Sequence, residues 1–216
     1  MKRKWITKEG NRVLTLFFCG WGMDERTVQH VEGIGDLLLF YDYRDISGED
    51  APEVEGYKSV RVVAWSMGVW AASVLLSRWN IPVSCRVAIN GTERPVDEHY
   101  GIHPKIYLLT ERSMTEQGRD KFFARMLSGK EEMERFEENR PCRAIDEQRD
   151  ELRLIREQSA REMPEMHWDR VYVSEEDVIF PVENQRNWWG NRVEIITLPG
   201  GHYPFYVLDN WEKIWK

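Results

Sequence analysis

The sequence predicts an α/β protein with a mostly parallel sheet flanked by helices and a small helical insertion. Three observations predict it. Short apolar runs bounded by turn residues recur along the chain, as strands buried on both faces require. Val60–Ala64, Met67–Ser77 and Val83–Ile89 read as strand, helix and strand, a βαβ unit. From about Pro95 to His167 the apolar runs give way to charge and helix formers, and the strand pattern then resumes. At 216 residues, one filled core and one domain are expected. The core is assigned to residues 1–95 and 168–216, and a mostly helical lid to 96–167.

Taken in order, Val13–Phe18 is the first strand-like run and ends in Cys19-Gly-Trp-Gly22. Leu37–Tyr43 is the second, and the βαβ unit supplies the next two. Inside the charged segment Lys105-Ile-Tyr-Leu-Leu109 is the one β-like run. Around it, Gly118–Leu127 and Asp146–Arg156 have helical spacing, with Phe122, Phe123, Met126 and Leu127 on one face. Arg170–Val173 resumes the strands, Val182–Trp189 follows Pro181 as a helix, and Val193–Leu198 is the last strand. Tyr206–Trp215 closes the chain as a helix.

The formal net charge of −7 argues against nonspecific nucleic-acid binding, which needs a basic excess to meet phosphates. The start Met1-Lys-Arg-Lys is basic, but no apolar signal core comes after it, and no run approaches membrane-spanning length. Cys19, Cys85 and Cys142 are widely spaced and odd in number, which speaks against a zinc site or disulfide framework and for the cytoplasm. Cys19 and Cys85 lie in apolar runs and are expected to be buried thiols. The ten tryptophans are read as core and pocket lining.

Ala64-Trp-Ser-Met-Gly68 lies between a strand and a helix, where a nucleophile elbow belongs. Small residues two before and two after Ser66 let strand and helix approach. The turn presents the Ser66 hydroxyl and puts the Met67 N–H at a helix N-terminus, where it can stabilise an oxyanion. Ala64 stands where glycine is more usual. A serine here also serves as an ordinary helix cap, so a partner base matters. Of the five histidines, His202 in Leu198-Pro-Gly-Gly-His-Tyr-Pro204 comes after the last strand on a glycine loop. The acid of a triad lies between serine and histidine in this fold, and Asp177 fits; Glu175 and Glu176 are rivals. A second oxyanion donor comes from the loop after an early strand, where the Trp21 N–H is placed, with Asp24 as a helix N-cap. Loop, serine, acid and histidine stand in the chain order of an α/β-hydrolase fold.

Phe17–Asp24, Ala64–Trp70, Ala88-Ile-Asn-Gly-Thr92, Phe180–Gln185 and Gly201–Phe205 resemble the BioG-type pimeloyl-[acyl-carrier protein] methyl ester esterases of biotin synthesis. The resemblance runs from about residue 11 to the C-terminus, strongest at these motifs. It implies Ser66, Asp177 and His202 as catalytic residues, Trp21 and Met67 as oxyanion donors, and no metal or organic cofactor. The better-known biotin-pathway esterase has a histidine where this chain has Cys19. The implied partner is acyl carrier protein, which is acidic, so basic residues should flank the site. Lys121 and Arg125, one helical turn apart, are the first choices; the other charges of the insertion read as a solvated surface with intrahelical ion pairs. A general short-acyl esterase or thioesterase, a carbon–carbon lyase like the menaquinone-pathway member of the fold, and a noncatalytic binding protein are the competing readings.

Overall fold

The computed structural model describes every residue except Ile34, Glu49, Glu162, Met163 and Lys216. Among the described residues, seven strands form one sheet in the order β1-β3-β2-β4-β5-β6-β7. They are β1 (Lys2–Thr7), β2 (Val13–Phe18), β3 (Asp36–Tyr41), β4 (Ser59–Trp65), β5 (Cys85–Ile89), β6 (Arg170–Ser174) and β7 (Ile195–Leu198). All neighbours pair in parallel except β1 with β3. The central strands carry the core: Leu14, Leu16, Val62, Val63, Val87, Ala88, Val171 and Val173 are buried. This explains their largely apolar composition.

β1 has no apolar run to announce it. Its Lys2-Arg-Lys4 segment is exposed and forms an antiparallel edge, where positive charge discourages pairing with a further strand.

After β4 comes α1 (Met67–Arg78), in which every residue from Met67 to Leu76 is buried. Between β5 and β6 lie α2 (Pro104–Arg112), α3 (Glu116–Met126), α4 (Lys130–Asn139) and α5 (Ile145–Ser159). α6 (Val182–Trp189) separates β6 from β7, and α7 (Trp211–Ile214) ends the chain. Among the described residues, no helix is long and apolar enough to cross a membrane.

Three expectations are corrected. Lys105–Leu109 is helical, within α2. Pro104 opens that helix and His103 Nδ1 caps it by accepting from the Lys105 N–H at 3.1 Å. Its apolar residues face different ways, since Tyr107 is buried while Ile106 and Leu109 are exposed. The C-terminal helix is only α7, because Asn210 accepts from the Glu212 N–H and starts the helix there. Cys85 is half-buried rather than buried, while Cys19 is buried and Cys142 exposed; all three are free thiols.

Candidate active site

The loops leaving β2, β4, β5, β6 and β7 at their C-terminal ends converge on one cleft, the usual ligand side of a parallel sheet. Ser66 sits between β4 and α1 with φ 59° and ψ −126°, a backbone state that a β-carbon disfavours. Close packing holds it there. A β-carbon on Gly68 would lie 2.2 Å from the Phe18 carbonyl oxygen, and one on Gly91 would lie 2.4 Å from that of Ser66. The Ser66 N–H donates to the Ile89 carbonyl at 2.9 Å, tying the turn to β5.

His202 Nε2 lies 2.9 Å from Ser66 Oγ, and His202 Nδ1 lies 2.8 Å from Asp177 Oδ2. All three side chains are buried. With a carboxylate at Nδ1, that nitrogen carries the proton, and Nε2 is left to accept from the serine hydroxyl. Asp177 is held firmly: Oδ1 accepts from the Ile179 and Phe180 N–H groups, each at 2.9 Å, and Oδ2 also accepts from Gln185 Nε2 at 3.0 Å. Glu175 and Glu176 go elsewhere. Their N–H groups donate to the Leu198 and Gly200 carbonyls, and their side chains are exposed.

The histidine loop is clamped from below. Trp65 Nε1 and Asn90 Nδ2 both donate to the His202 carbonyl at 2.9 Å, and Asn90 also bonds Ser174 through both ends of its amide. From α3, the Met126 carbonyl accepts from the Tyr203 N–H at 3.0 Å. Gln185 and Asn90 had no assigned role in the sequence, although both fall in the recognisable motifs. Their signal is weak, because an amide on a helix or turn is ordinary until its burial is known.

Trp21 and Met67 line the cleft beside Ser66 and His202. Among the described residues, neither backbone N–H has a hydrogen-bond acceptor. The rest of the wall is mostly apolar, including Met23, Ile102, Tyr107, Phe122, Leu152 and Ile179. The cavity volume of the cleft is about 30 Å³. Arg125 lines it while exposed, and donates to the Val178 carbonyl at 3.1 Å. Lys121 is exposed one turn earlier on α3 and is not among the lining residues. Asp24 caps the turn at Glu25–Val28 as expected. Burial pushes the Cys19 thiol well above its usual pKa, so it stays protonated. Among the described residues no group of three metal-ligating side chains occurs.

The sequence pattern of the family described as "Pimeloyl-ACP methyl esterase BioG" matches residues 1–214. The chain belongs to the BioG family. A solved structure of BioG from Haemophilus influenzae superposes with a TM-score of 0.92 at 33% identity, over 100% of both chains. A second relative, from Bacteroides fragilis, is named malonyl-[acyl-carrier protein] O-methyltransferase. It is 38% identical over 196 residues, 89% of this chain, and this BioG-family chain spans 40% of that protein's length. The fold reaches further. MGS-M2, an alpha/beta hydrolase enzyme from a Medee basin deep-sea metagenome library, matches with a TM-score of 0.62 at 14% identity, over 95% of this chain and 88% of that one. The chain has the α/β-hydrolase fold.

Proposed function

We propose that this chain is a cytoplasmic serine esterase that removes the methyl ester of pimeloyl-acyl-carrier-protein methyl ester in biotin synthesis. The observation that carries the mechanism is the hydrogen-bonded series Ser66 Oγ, His202 and Asp177. The family membership supports the substrate. The methyltransferase activity named for the Bacteroides relative belongs to a longer chain and is not carried over.

In this mechanism Ser66 Oγ attacks the ester carbonyl while its proton passes to His202 Nε2. Asp177 holds the imidazole and offsets its positive charge. The Trp21 and Met67 N–H groups bind the oxyanion. The C–O bond to the methoxy group breaks, and His202 protonates that oxygen as methanol leaves. Water, deprotonated by His202, then attacks the acyl-serine, and Ser66 leaves with the returned proton. No step calls for a metal or organic cofactor.

The apolar wall suits a methylene chain, with α2–α5 as the lid over it. Arg125 at the wall, with Lys121 one turn away, is the proposed contact for the acidic carrier. Two experiments test this reading. A fluorophosphonate should label the wild type at Ser66, and labelling should vanish in Ser66→Ala. Arg125→Glu should raise KM for the carrier-bound ester by about tenfold, while p-nitrophenyl acetate turnover stays near wild type. An equal loss on both substrates would contradict the docking role.

A further inference from the structure

The loop that carries the Trp21 N–H is gripped from two sides. On the sheet side, the Cys19 N–H donates to the Phe40 carbonyl at 2.9 Å, and the Cys19 carbonyl accepts from the Tyr43 hydroxyl at 2.7 Å. On the other side stands α5. Its Gln148 carbonyl accepts from Trp21 Nε1 at 2.7 Å, and its Gln148 Nε2 donates to the Gly22 carbonyl at 2.9 Å. Glu151 Oε2 accepts from the Gly22 N–H at 3.2 Å, while Oε1 accepts from the Tyr43 N–H at 2.8 Å. One carboxylate therefore ties the loop after β2 to the loop after β3.

Gln148 and Glu151 are both fully buried. A buried carboxylate is costly, and here Arg143 offsets the charge: its Nη1 lies 2.5 Å from Glu151 Oε2 and its Nη2 lies 3.1 Å from Asp42 Oδ1. An apolar residue would pack α5 against the sheet at lower desolvation cost. The polar set instead spends its hydrogen bonds on Trp21, Gly22 and Tyr43. Gly20, the residue before, is packed against the site itself: a β-carbon there would lie 3.0 Å from the Trp65 ring and 3.4 Å from Ser66 Cβ. With Cys19 and Gly22 both fixed, the peptide plane carrying the Trp21 N–H has little freedom to turn.

We propose that Gln148 and Glu151 are positioning residues for the oxyanion hole, orienting the Trp21 backbone N–H through their grip on Gly22. The proposal rests on the serine-esterase reading above. It makes α5 part of the catalytic geometry as well as of the lid, because a donor fixed in advance needs no reorganisation when the oxyanion forms.

The test uses Gln148→Met in the full chain, with Glu151→Gln as the second variant. Gln148→Met removes the bond to the Gly22 carbonyl. It also removes Gln148 Oε1, which has no hydrogen-bond partner among the described residues, so the fold should survive. Hydrolysis of p-nitrophenyl acetate is measured with circular dichroism and the inhibition constant of phenylboronic acid, which becomes a tetrahedral anion on the serine. The expected result is a fall in kcat of about 10- to 100-fold, a similar rise in the inhibition constant, and little change in KM. A merely structural role leaves the boronate affinity of the folded variant unchanged. Wild-type kcat and boronate affinity in either folded variant, with hydrolysis abolished in Ser66→Ala, would overturn this proposal alone. Wild-type hydrolysis by Ser66→Ala would instead overturn the serine reading beneath it.

Discussion

At Ser66 the backbone bears strain of about 1–3 kcal/mol, and the residues around it are chosen to let that strain persist. Gly68→Ala drives a β-carbon into the Phe18 and Cys19 carbonyls, so it should destabilise the protein by about 3 kcal/mol or more. Urea unfolding checks this, and a midpoint at the wild-type value would contradict the packing argument. Asp177→Asn should fold normally yet lose about 10⁴-fold in kcat, because the amide no longer enforces the Nδ1–H tautomer. Gln185→Leu frees one side of the Asp177 carboxylate and should lower kcat by about tenfold with KM little changed. Ser66 and His202 are readable in the chain because each stands where a strand ends and the next segment begins. Asp177 is separable from Glu175 and Glu176 only in three dimensions. Those two N–H groups bond the chain leaving β7, and the next turn brings Asp177 inward. Gln185 lies eight residues further on, within α6, and no spacing rule points to it.

Among the elements, α5 shows where hydropathy misleads. Its buried positions, Gln148, Glu151, Leu152, Ile155 and Ser159, have helical spacing, but three of the five are polar. The sequence therefore reads as a solvated charged helix. Arg149 and Arg153 do make the expected intrahelical ion pairs, whereas Arg143, just before the helix, is buried. The entrance to β3 holds another buried charge. Asp36 accepts from the Glu9, Gly10 and Asn11 N–H groups, from Asn11 Nδ2 and from the Tyr57 hydroxyl. Burial alone raises its pKa, but these bonds outweigh it and hold the carboxyl at about 2. Since the folded pKa lies below the unfolded value of about 3.9, Asp36 stabilises the fold above that pH. The contribution is lost as pH falls through about 2. Asp36→Asn should cost about 2 kcal/mol at neutral pH, and the difference from wild type should shrink as pH drops from about 4 toward 2. Denaturant titrations across that range measure it; a constant difference would count against the carboxylate.

For the whole molecule, the alternation of strand and helix is legible because β2, β4, β5 and β6 are buried over most of their length and are mostly apolar there. The antiparallel β1 is not, since an exposed edge needs no such pattern. Five strand ends and the start of α1 bring together residues as distant in sequence as Trp21 and His202. The charged helices between β5 and β6 add the apolar wall and Arg125. On the proposed reading, Ser66, His202 and Asp177 act on one carrier-bound ester held along the apolar wall. Cleavage of pimeloyl-acyl-carrier-protein methyl ester by the wild type and by Ser66→Ala measures this without intermediaries. The prediction is rapid release of methanol by the wild type and none above background by the variant. A folded wild type that hydrolyses p-nitrophenyl acetate but leaves the carrier-bound methyl ester intact would contradict it.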